Sequence, residues 1–82
     1  MNTANAMPDT LRQAQEHMDG SGPLRLKGEE ILITARIIAA ANAVVGMLSP
    51  RTYRKPMSVE DAIGALQSNN QFDRRVIAAL TN

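Results

Sequence analysis

Between Ile31 and Leu48 the chain is almost continuously apolar, built from Ile, Leu, Val, Ala and Met with Arg36, Asn42 and Gly46 as the main interruptions. Such a run predicts a helix over 32–48 that is apolar on most of its faces and therefore central, with neighbours on several sides. Ahead of it the pattern is sparser. Leu11, Ala14 and Met18 recur at spacings of three and four, which predicts a helix over 9–18 capped by Asp9 or Thr10. Residues 1–8 show no periodicity and are expected to form a flexible N-terminus. Asp19-Gly20-Ser21-Gly22-Pro23 stops the first helix, and loop character persists to about Glu30, a long connection in a chain of 82 residues. Ser49-Pro50 ends the central helix, because proline lacks the next amide and disfavours helix at the residue before it. Ser58 is placed to cap a third helix over 58–68, with Asp61 as a short capping-box acid and Val59, Ala62, Ile63 and Leu66 facing inward. Phe72-Asp73 opens a fourth helix over 73–81: Asp73 caps, Phe72 staples onto Ile77, and Val76, Ile77 and Leu80 face the core. No segment reads as a strand. The expected fold is all-α, a small bundle of about four helices, with 9–82 as one helical unit.

Composition adds two constraints. Aromatic residues make up 2% of the chain, so the core must be assembled from Ala, Ile, Leu, Val and Met, which bury less area each. The other helices are too short to cover the 31–48 segment fully, so association with a second copy or a partner protein through that segment is expected. There is no cysteine, hence no disulfide and no thiolate metal site. A net charge of +1 argues against nucleic-acid binding. Arg36 breaks the longest apolar run, so no membrane span is expected and a cytoplasmic location is the default.

Candidate chemistry is concentrated in few places. His17 stands between Glu16 and Asp19 at the expected end of the first helix, where a solvated helix terminus is the simpler reading than a metal site. Ser21 is its nearest serine, in a glycine-rich loop that reads as structural. Glu29-Glu30 and Glu60-Asp61 read as helix-start acids near a positive dipole end. The basic loop after the central helix is sharper: Arg51, Arg54 and Lys55 surround Tyr53. Two readings of it stand. The arginines grip phosphate oxygens in bidentate fashion, or the loop is a solvated basic turn at a helix C-terminus. Arg74-Arg75 near the start of the last helix opposes the local dipole and marks at most a surface contact.

These segments resemble, in unbroken order from about Gln13 to the C-terminus, the C-terminal half of an HD-GYP domain, the metal-dependent cyclic di-GMP phosphodiesterase family of the HD superfamily. The family's His pair is followed by Glu, a spaced Asp-Gly and Gly-Tyr-Pro. Glu16, Asp19, Gly20, Gly22 and Pro23 follow that pattern, and Leu26-Lys27-Gly28-Glu29-Glu30-Ile31 continues it. Downstream, Ala35-Arg36-Ile37, Ala41-Asn42 and Arg51-Thr52-Tyr53-Arg54 are similar to the family's Ala-Arg-Ile, Ala-Asp and Arg-Pro-Tyr-Arg. Ser58 to Ala62 and Gln71-Phe72-Asp73 match its tail.

The resemblance also carries departures. Ala14 and Gln15 stand where the family has its His pair, Asn42 where it has a metal-binding Asp, and the Tyr of Gly-Tyr-Pro is missing. An amide brings no charge to a cation, so with the family's upstream His-Asp half also absent no metal and no cofactor are expected. The resemblance then implies a degenerate, non-catalytic signalling module that acts by protein association. The alternative it implies is a cyclic di-GMP or other phosphate ligand held without hydrolysis through Arg51, Arg54 and Lys55. Residual phosphodiesterase activity is not expected.

Overall fold

The structure, a computed structural model, describes residues 8–50 and 55–80. Four α-helices follow one another: α1 (Asp9–Gln13), α2 (Ile33–Leu48), α3 (Val59–Gln67) and α4 (Arg74–Leu80), with a short 3-10 turn, Gly28–Glu30, before α2. Among the described residues there is no strand, and extended pairing is limited to one isolated bridge between Asp19 and Lys27. The all-α expectation is met. The expected flexible N-terminus falls on residues of which only Pro8 is described, and residue 81 of the expected fourth helix also lies outside the described residues.

α2 is central, packing against α1, α3 and α4. Its end is the expected one: Ser49 leaves helical geometry, and its hydroxyl donates to the Val45 carbonyl at 2.7 Å. α3 begins at Ser58, whose side chain accepts the Asp61 amide at 3.1 Å. α4 begins at Asp73, whose carboxylate accepts the Arg75 amide at 2.8 Å. Both caps supply an acceptor to an otherwise orphaned first-turn N–H.

The first helix is the main departure. It stops at Gln13 rather than at 18, and neither Asp9 nor Thr10 caps it; Pro8 holds that position without a side-chain bond. Asp9 instead pairs with Arg12, and Thr10 meets the Thr34 hydroxyl at 2.6 Å. The helix ends early because the backbone beyond it is used elsewhere. The Met18 amide donates to the Gln71 carbonyl at 3.0 Å, and Glu16 turns inward to serve the following loop.

Ala40, Leu66, Val76 and Ile77 form the buried centre, with Ala43, Val44, Met47, Ile63 and Phe72 packed around it. Ile31, Ala35 and Ala62 are buried as well. Three residues expected inside are not: Leu11 is 53% exposed, Val59 51% and Leu80 46%. α1, five residues long, leaves Leu11 exposed, while Val59 and Leu80 flank a face of α2 that no described residue covers.

A buried ion pair crosses this small core. Arg36 of α2 donates from Nη1 to the Asp73 carboxylate at 2.7 Å, with side chains 9% and 3% exposed. Its Nε donates to the Ile31 carbonyl at 2.9 Å. One guanidinium thus fastens the loop exit, α2 and the cap of α4. Burial by itself would raise the Asp73 carboxyl, but hydrogen bonds from Arg36 and from the Arg75 amide and side chain prevail and hold it below its ordinary 3.8.

Breaking such a pair strands a buried charge, so Arg36→Met is expected to cost about 3–5 kcal/mol in urea unfolding. The folded Asp73 binds its proton less tightly than the unfolded one. Its contribution is therefore complete above the unfolded value and lost as pH falls through the folded one. Stability should accordingly decline below about pH 4, and Asp73→Asn should remove that part of the decline in urea titrations run across the acid range.

Candidate functional site

The loop between α1 and α2 carries the Glu-x-x-Asp-Gly-x-Gly-Pro segment, and Glu16 organises it. Glu16 is buried, 3% exposed, and its two carboxylate oxygens accept the amides of Leu24 at 2.8 Å and Leu26 at 3.0 Å. A buried carboxylate is tolerated when backbone donors replace its water. Gly22 is required beside it, since a Cβ there would come within 2.7 Å of the Glu16 Cα. Gly20 turns the chain with a φ of +84°, a conformation that glycine adopts without cost. Pro23 follows on the exposed rim. The loop closes where the Gly28 amide donates to the Met18 carbonyl at 3.1 Å and the Lys27 amide to Glu30 at 2.8 Å. Leaving the loop, the Leu32 amide donates to the Gln13 side chain at 2.7 Å.

Asp19, His17 and Ser21 form a polar group on the loop's outer side. The Asp19 carboxylate accepts both the Ser21 hydroxyl at 2.6 Å and the Ser21 amide at 3.0 Å. Those bonds, the hydroxyl's first, hold the Asp19 carboxyl below its ordinary value. The Ser21 hydroxyl lies 2.8 Å from His17 Nδ1. Because the serine proton is committed to Asp19, Nδ1 carries its own proton and donates to the hydroxyl. This order is the reverse of a nucleophile–base pair, in which the imidazole accepts the serine proton. The cluster bridges one turn of the loop.

The other sequence-derived positions are dispersed. α1 runs back along the first turn of α2, as the Thr10–Thr34 and Gln13–Leu32 bonds show, so Ala14 and Gln15 lie beside the α2 N-terminus. Asn42 is exposed on α2, about 15 Å of helical rise beyond Leu32. Among the described residues no group of three or more His, Cys, Asp or Glu is placed to hold a metal ion. Arg51, Tyr53 and Arg54 lie outside the described residues; Lys55 is described and exposed. The segment after it returns to α2 through the Met57 amide, which donates to the Met47 carbonyl at 2.9 Å. Arg75 approaches Glu29 and Asp73, each at 3.5 Å, from an exposed position.

Sequence reasoning missed two of the structural centres. It treated Arg36 as an interruption in an apolar run, when a lone charge on a central helix is itself the signal of a buried pair. It treated Glu16 as one of a motif without seeing that its carboxylate is the floor of the loop.

A family model described as HD domain matches residues 1–76, and the chain belongs to that family. Curated relatives agree. A probable cyclic di-GMP phosphodiesterase of Vibrio cholerae is 40% identical over 78% of this chain and 15% of its own length. The cyclic di-GMP phosphodiesterase response regulator RpfG of Xanthomonas campestris is 40% identical over 79% of this chain and 18% of its own. The cyclic di-GMP phosphodiesterase PdeB of Borreliella burgdorferi is 33% identical over 89% of this chain and 20% of its own. The chain thus spans less than a quarter of the length of the relatives it matches. No helix of the described residues is long and apolar enough to cross a membrane.

These relatives overturn the expectation of a non-catalytic module that is not an enzyme. Their names point to an enzyme family. The reasoning from Ala14, Gln15 and Asn42 failed because it asked a segment of this size to carry a complete set of metal ligands. A site assembled from a larger protein need not keep its donors in one short stretch.

The loop's dependence on Glu16 is open to direct measurement. Gly22→Ala should cost about 1–3 kcal/mol by overpacking against the Glu16 backbone. Glu16→Ala should leave the Leu24 and Leu26 amides unmet, at about 1–3 kcal/mol. In both variants hydrogen exchange at those two amides should accelerate well beyond that of the α3 core.

Proposed function

We propose that this chain is the part of a cyclic di-GMP phosphodiesterase that supplies the loop built on Glu16 and the basic segment Arg51, Arg54 and Lys55. The observation that carries the reading is the extent of the likeness. The alignment with PdeB takes in 89% of the chain, so it cannot leave out either the loop or the basic segment. Family membership and the names of the other relatives support it.

In this reading the arginines bind non-bridging oxygens of the substrate's phosphodiester by paired N–H donors. They neutralise its negative charge as the water oxygen bonds to phosphorus and the ester oxygen leaves. α2, fixed by Arg36 to Asp73, provides the rigid support from which that segment departs. A divalent metal, when bound in such an enzyme, supplies an activated water; the groups that hold it come from outside the described residues. A cytoplasmic location belongs to the same reading, in keeping with a sequence without cysteine.

The test is turnover of cyclic di-GMP, with Mn2+ or Fe2+ supplied, by the protein that carries this chain, followed as release of linear dinucleotide. Arg51→Ala together with Arg54→Ala should lower kcat/KM by about a hundredfold while leaving the helical circular dichroism unchanged. No product with either metal would overturn the reading.

A further inference from the structure

Every amide from Leu24 to Leu26 is tied. The Glu16 carboxylate accepts those of Leu24 and Leu26 at 2.8 and 3.0 Å, and the Gly22 carbonyl accepts that of Arg25 at 3.1 Å. These bonds hold Arg25 at a φ of +59°, and among the described residues it is the only non-glycine with a positive φ. The Cβ of an L residue crowds the following carbonyl oxygen in that region, and glycine would make the same turn without the cost. No contact of the side chain offsets it. Arg25 is exposed, and its guanidinium has no hydrogen bond or ion pair to a described residue. Residues held in such sparsely populated conformations by a well-satisfied surround cluster at ligand-binding positions.

We propose that Arg25 is a further substrate-contacting residue, donating from its guanidinium to a non-bridging phosphodiester oxygen of cyclic di-GMP. The proposal rests on the reading above and deepens it, by naming what the Glu16 loop contributes. None of the five N–H donors of Arg25 is used by a described residue, and their planar fork matches paired phosphate oxygens. The backbone that carries them is already tied by three bonds, so less ordering remains when the anion arrives. Lys27, two residues on, is also exposed, with its stem beside Gly20. It adds positive potential to the loop but lacks the fixed backbone direction that the left-handed turn gives Arg25.

The test is calorimetric titration of cyclic di-GMP into the protein that carries this chain, with Ca2+ in place of a metal that supports turnover. Arg25→Gly should raise the dissociation constant at least about tenfold. The same variant should unfold at a higher urea concentration, because glycine relieves the left-handed residue. Lys27→Gln, which removes an equal charge from the same loop, should weaken binding a few-fold at most. A dissociation constant unchanged by Arg25→Gly would overturn this proposal alone and leave the phosphodiesterase reading standing. An equal loss in Lys27→Gln, or a loss in Arg25→Gly accompanied by a lower urea midpoint, would also overturn it, by assigning Arg25 to general attraction or to the fold. No binding by the unaltered protein would overturn both.

Discussion

The Arg36–Asp73 pair is the interaction on which the rest of the arrangement depends. Among the described residues only Ile31, Leu66 and Ile77 are large side chains buried almost completely. A core of so few large groups fixes a mean packing of helices but constrains their relative positions weakly. The ion pair adds what apolar contact lacks, a directional bond between one atom of α2 and one of α4. Desolvating two charges is costly, and the cost is met here because each has further partners. Arg36 also donates to Ile31, and Asp73 also accepts from Arg75. Since Asp73 is at the same time the cap of α4, losing the pair would disturb both a helix start and a helix–helix contact.

Glu16 applies the same physics to the loop. The two buried carboxylates among the described positions, Glu16 and Asp73, both accept backbone amides. The two regions are joined through the bond from the Met18 amide to the Gln71 carbonyl, two residues before Asp73. The loop, the α2 N-terminus and the α4 cap thus form one hydrogen-bonded unit.

The pattern along the chain was enough to determine an all-α architecture, a central α2 ended by Ser49-Pro50, and the caps at Ser58 and Asp73. All of these depend on neighbours within a few residues, where periodicity, proline and capping side chains act directly. The HD family resemblance was likewise legible, because it lies in the spacing of motifs. What the departures within those motifs meant for activity was not legible. Ala14, Gln15 and Asn42 describe what a short segment lacks and say nothing of groups brought to it from elsewhere.

Tertiary structure alone decided the rest. Helical spacing ran through Ala14 to Met18, yet α1 ends at Gln13, because the Glu16 carboxylate and the Met18 amide find partners 8 and 53 residues away. Val59 and Leu80 sit at positions that periodicity assigns to a core, but burial also needs an opposing surface, and α2 offers them an open face. Arg36 looked like a defect in an apolar run until Asp73, 37 residues on, came within 2.7 Å of it. Local rules set which segments are helical; which charges are buried depends on where distant segments meet.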